Sequence, residues 1–119
     1  MIERNFSSAH QLRGYKGKCE NLHGHNYKIE IYARGRELDN IGLLVDFVEL
    51  KRVVHSVLDR LDHTWLNEFP PFNEINPSAK NIAKYIYDEV HAGLGTREGV
   101  RLSFVKLWET DTASAIYRR

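Results

Sequence analysis

The chain has 119 residues, 42% of them hydrophobic, and its 17 basic and 16 acidic side chains leave a formal net charge of +1. That size suits one domain over residues 1–119, and the charge balance gives no electrostatic reason to expect nucleic acid or an anionic membrane as partner. No apolar run approaches the ~20 residues that cross a bilayer, and charges interrupt "MIERNFSSAH" where a signal peptide needs an apolar stretch, so a soluble, cytoplasmic protein is the expectation.

In chain order, residues 2–12 have strand character and break at the polar, glycine-containing "RGYKGKCENLHG". From His25 the alternation is clear: His25, Tyr27, Ile29 and Ile31 share one face of a strand, and Asn26, Lys28, Glu30 and Tyr32 the other. "ARGRELDNIG" reads as a turn-rich connection, followed by the short apolar run "LLVDF". Asp46 can cap a helix, with Glu49 completing a capping-box-like pair. Phe47, Leu50, Val54, Val57, Leu58 and Leu61 then form one helical stripe. "LDHTWLNEFPPFNEINP" is predicted to be a loop. A second helix starts at Ser78, turns Ile82, Ala83, Ile86 and Val90 inward, and stops near "GLG". "VRLSFVKLWE" and "ASAIYRR" are two strands around a turn at "TDT".

The order is therefore ββααββ, which favours an α+β domain with a four-stranded antiparallel sheet and both helices on one face. Such a sheet has an edge at each side. Exposed edges invite pairing with another chain, so a ring-like oligomer that joins sheets between subunits is expected.

The chemistry concentrates in "CENLHGH". Cys19 is the only cysteine, so it is a free thiol, a metal ligand or filler. His23 and His25, two apart at a strand entrance, project from one face with Cα atoms roughly 6.5 Å apart, a workable bite for zinc. His10 lies on the strand expected to pair with them. Three imidazoles without a fourth protein ligand describe an open, catalytic zinc site, although two of six histidines falling at this spacing is also unremarkable by chance. His55 and His91, inside helices, read as surface or boundary residues. Lys18 and a nearby metal would lower the Cys19 pKa, and Glu20 pulls the other way. Asp62 and His63 are either a polar helix end or a proton-transfer partner for a thiolate. Glu109 is either an exposed strand end or an acceptor for two parallel N–H bonds from an amidine-like ligand edge.

Taken together, "FSSAHQL", "CENLHGHNY", "LLVDFVELK", "LDHTWLN", "NPSAKNIAKYIYDEV" and "VKLWETDTASAIY" resemble the 6-pyruvoyl-tetrahydropterin synthase family nearly end to end. The likeness is strongest to its bacterial branch, the 6-carboxy-tetrahydropterin synthases of queuosine biosynthesis. The resemblance implies the tunnelling fold, with subunits joined into trimeric barrels that stack into a homohexamer with interfacial active sites. It also implies zinc on His10, His23 and His25, a catalytic Cys19, an Asp62–His63 proton relay, and Glu109 holding the pterin ring. The implied reaction converts 7,8-dihydroneopterin triphosphate to 6-carboxy-5,6,7,8-tetrahydropterin, acetaldehyde and triphosphate.

Other outcomes share these motifs. Elimination of triphosphate without side-chain cleavage gives the 6-pyruvoyl product, in relatives with a longer gap between cysteine and HGH. An aldolase-like cleavage would use Glu20, and a non-catalytic zinc scaffold would leave the thiol and the Asp–His pair incidental. One departure stands out: the family's "PTxEN" is "PSAKN" here, so Lys80 replaces a glutamate. Pterin recognition then rests on Glu109 alone, or Lys80 contacts a phosphate.

Overall fold

The computed structural model describes residues 1–14, 16–17, 21–95 and 99–119. Strands β1 (Ile2–His10) and β2 (His23–Gly35) form an antiparallel hairpin. Helix α1 (Phe47–Leu61), the two-residue strand β3 (Thr64–Trp65) and helix α2 (Ala79–Leu94) follow. Strands β4 (Val100–Thr110) and β5 (Ala113–Arg118) complete the order. The sheet has five strands in the order β3-β1-β2-β4-β5. No described helix is long and apolar enough to cross a membrane.

Alternation divides the sheet into two faces. Ile2, Phe6, Tyr27, Ile29, Ile31, Val105 and Leu107 are buried on one face, together with the inward sides of both helices. The other face carries Lys28, Glu30, Tyr32, Lys106 and Trp108. There the Lys28 and Lys106 amines sit 5.2 and 4.4 Å from the Trp108 ring centroid. The indole N–H donates to the Glu30 carboxylate at 2.6 Å, so polar groups hold the Trp108 ring on this face.

Both helices begin on side-chain caps. Asp46 accepts from the Val48 amide at 2.8 Å, and Ser78 Oγ accepts from the Asn81 amide at 3.3 Å. Each satisfies an otherwise unpaired first-turn donor. Glu49 binds Arg52 through its carboxylate at 2.7 Å. At the other end of α2, Gly95 takes φ +69°, a conformation that favours glycine and stops the helix.

Three expectations change. The sheet has a fifth strand inside the expected loop: Thr64 and Trp65 pair in parallel with Ser8 and Ala9, making the sheet mixed. Two residues are too few to show a period, which is why the pattern misses them. Second, Phe47 is 57% exposed, whereas Val53 joins the buried stripe. The first turn of α1 continues the exposed apolar loop that carries Leu38 and Ile41. Third, β2 runs to Gly35 and passes a bulge. Tyr32 pairs with Phe104 but Ala33 with Leu102, so Ser103 is the extra residue on β4.

Leu61 is fully buried, so Leu61→Ala should cost about 2–5 kcal/mol. Phe47→Ala should stay within about 0.5 kcal/mol of wild type. Urea unfolding of the two variants checks the revised stripe.

Candidate metal and catalytic site

The β1–β2 register assembles the site. His10 lies directly opposite His23, and Ser8 opposite His25. Even positions of β1 and odd positions of β2 face the core, so all three imidazoles converge at one end of the apolar face. Below them Phe6 pairs with Tyr27, their rings stacked at 4.9 Å and 15°. On the far side, β4 passes Trp108 opposite Lys28 and delivers Glu109 one residue further on. Donor atoms of His10, His23, His25 and Glu109 all lie within 4.8 Å of one another.

Carbonyl partners fix the tautomers. His10 Nδ1 is 2.7 Å from the Pro77 carbonyl, and His23 Nδ1 is 2.7 Å from the Asn21 carbonyl. A carbonyl only accepts, so both Nδ1 atoms carry hydrogen and the Nε2 lone pairs face the cluster. Those Nε2 atoms are 2.9 Å apart. Two lone pairs at that distance repel unless a cation or a proton lies between them. Fixing the outer nitrogen on a carbonyl is also how metal-binding histidines are oriented.

His25 Nε2 is buried and has no hydrogen-bond partner among the described residues. Glu109 Oε1 is near it at 3.2 Å, yet the approach lacks hydrogen-bond alignment. Burial lowers the His25 pKa, and the neighbouring histidines add to this against the opposing pull of Glu109. A neutral imidazole is the ligand form. Glu109 also lies 3.1 Å from His10 Nε2. Its contact with His10, opposed by desolvation and helped by the electrostatics of the histidines, holds its carboxyl below the usual range. Three imidazoles and one carboxylate, with His25 Nε2 lacking any other partner among the described residues, fit a divalent metal ion.

Glu109 enters the histidine group itself, a placement its strand-end position did not reveal. Tyr27 was legible only as a strand-face residue. Its hydroxyl is buried without a partner among the described residues, and burial together with the Glu109 charge raises its pKa. Cys19, with Lys18 and Glu20, lies outside the described residues. Lys80 donates to the Ile116 carbonyl of β5 and sits 5.8 Å from the Tyr117 ring.

Asp62 and His63 follow α1 and lead directly into β3 beside β1. The Ser7 amide donates to Asp62 Oδ1 at 2.9 Å, and His63 Nδ1 lies 3.0 Å from Asp62 Oδ2. The His63 amide bonds back to the Ser7 carbonyl. His63 takes φ +54°, a conformation costing of order 1–3 kcal/mol for a residue with a Cβ. Its ring is 81% exposed. The pair lines a cavity of about 780 Å³ with Asn5, Asn26, Lys28 and Trp108 of the polar face. His63 and His25 also share a shallower cavity of about 450 Å³. The histidine group thus faces the core side, and the Asp–His pair opens outward from the sheet edge.

The Ser7 amide, and secondarily His63, hold the Asp62 carboxyl below its ordinary range against desolvation. A group with a lowered native pKa stabilises the fold fully above its unfolded pKa and loses that contribution as pH falls through the native one. Asp62→Asn should therefore melt below wild type at neutral pH, with the gap closing in acid. Melting curves of both proteins between pH 3 and pH 7, a range of roughly carboxylate titration, check this.

A sequence model of 6-pyruvoyl tetrahydropterin synthase matches residues 1–119. The chain is 37% identical over 123 residues to the Bacillus subtilis 6-carboxy-5,6,7,8-tetrahydropterin synthase, covering 98% of this chain and 82% of the relative. It is 34% identical over 125 residues to the Dictyostelium discoideum 6-pyruvoyl tetrahydrobiopterin synthase, covering 95% and 90%. The Caenorhabditis elegans 6-pyruvoyl tetrahydropterin synthase structure superposes with a TM-score of 0.88 at 28% identity, covering 99% of this chain and 94% of that one. The five-stranded mixed sheet with two helices is the fold of that structure, and the chain belongs to the 6-pyruvoyl tetrahydropterin synthase family.

Proposed function

We propose that the protein is a zinc-dependent carbon–carbon lyase that converts 7,8-dihydroneopterin triphosphate to 6-carboxy-5,6,7,8-tetrahydropterin, acetaldehyde and triphosphate, in the cytoplasmic route to queuosine. The observation that carries the reading is the convergence of three imidazoles and one carboxylate, in a chain of this family. His10, His23 and His25 would hold the ion. Bound there, zinc would act as a Lewis acid toward the hydroxyls of the substrate side chain.

The remaining work falls to side chains. Glu109 is kept ionised, and an ionised carboxylate can accept two parallel N–H bonds from the amidine-like edge of a pterin. The Cys19 thiolate would take the proton from the side-chain carbon. His63, oriented by Asp62, would return protons from the opposite side. The His63 strain fits this role, because holding an exposed imidazole outward has no evident packing benefit. Its outward direction also supports an oligomer in which the pair serves a site completed by a neighbouring subunit. A homohexamer built from two trimeric barrels would close both sheet edges at once.

The runner-up product is 6-pyruvoyl-tetrahydropterin, favoured by the likeness to the Dictyostelium and Caenorhabditis enzymes. The short tether between Cys19 and His23 favours cleavage, since a shift of ~1 Å in a reacting group can change a rate by two orders of magnitude.

Metal analysis should find about one zinc per chain, lost in His23→Ala; a purified protein without metal would contradict the site. Cys19→Ala should keep zinc and lose at least about 100-fold in turnover. Mass analysis of products from dihydroneopterin triphosphate should show acetaldehyde. Substrate consumption without acetaldehyde would assign the pyruvoyl reaction instead.

A further inference from the structure

At the opposite end of β2 and β4 from the histidines, Arg34, Arg36 and Arg101 line one cavity of about 670 Å³ with Gly35, Gly99 and Val100. Arg34 lies nine residues beyond His25 along β2, or about 30 Å at the usual strand rise, so this is a separate place on the molecule. Sequence alternation puts Arg34 and Arg36 on one side. The bulge at Ser103 rephases β4 so that Arg101 stands directly opposite Arg34.

Like charges directly opposite on neighbouring strands destabilise a sheet. All three arginines are exposed, and among the described residues none of them forms an ion pair. Two glycines lie between the arginines in the chain. A Cβ on Gly35 would lie 2.4 Å from Leu44 Cδ1 and 2.6 Å from the Gly99 carbonyl oxygen, and Gly99 has φ +74°. Gly35 thus lets the end of β2 pack closely on Leu44 and the Gly99 carbonyl, on the side opposite Arg34 and Arg36.

We propose that Arg34, Arg36 and Arg101 form a binding site for a polyphosphate group. Guanidinium forks match phosphoryl oxygens bidentately. Three full positive charges around one cavity are balanced by an anion carrying several negative charges, which a lone carboxylate does not. Such a ligand also turns the Arg34–Arg101 repulsion into a shared attraction. The site stands whether or not the reaction proposed above is right. Free inorganic triphosphate and the triphosphate tail of an organic molecule present the same chemistry.

Isothermal titration of the full chain with inorganic triphosphate, and separately with ATP, tests the proposal. Saturable binding is expected at ~0.1 M salt, where nonspecific surface attraction is already strongly screened. Arg34→Ala/Arg101→Ala should weaken it at least tenfold, whereas His23→Ala should leave it unchanged. Triphosphate should raise the melting temperature of wild type and not of the double variant. Tighter binding of ATP than of triphosphate would assign the site to an organic triphosphate tail, and the reverse to the free anion. Binding that survives in the double variant, disappears in His23→Ala, or fails to saturate overturns the proposal. If the double alanine variant does not fold, Arg36→Ala and Arg34→Gln carry the same test.

Discussion

The site depends on one constraint, the antiparallel register of β1 against β2. With His10 opposite His23, three imidazoles meet on the core side. A slip of one residue would turn a whole strand over and send its histidines to the other face. The register is anchored by burial: Phe6 stacks on Tyr27, and Ile2 sits opposite Ile31, all within the core. Ordinary hydrophobic packing thereby places polar groups whose gathering would otherwise be unfavourable.

The rest of the fold holds those groups in their working states. Pro77, just before the Ser78 cap of α2, offers its carbonyl to His10 and so fixes which nitrogen faces the cluster. Ser7 on β1 plays a parallel part for Asp62. In both cases a backbone group sets the charge or tautomer of a side chain, so the chemistry is tied to the course of the main chain at the start of α2 and along β1.

Much of this was legible in the sequence. The His23–His25 spacing, the alternation of β2 and the caps at Asp46 and Ser78 are local patterns, and local patterns survive into the fold. What stayed hidden depends on pairing between distant segments. Glu109 reaches the histidines because β4 docks on β2 in one register, and no periodicity within β4 states which. The same holds for Arg101, whose face is decided by the bulge at Ser103. Strand β3 was invisible because two residues carry no period. Phe47 fits the helical stripe in spacing alone, and the turn it occupies lies against solvent.

The 3.1 Å contact between His10 and Glu109 joins residues near opposite ends of the chain. The histidines can come together in an early hairpin, because few residues separate β1 from β2 and short loops close readily. The carboxylate arrives only when β4, near the other end of the chain, has docked. A nascent or partly folded chain would therefore present a histidine chelate without its acidic partner. Capture of the ion at the hairpin stage would lend the chain a template around which its late-made strands could assemble.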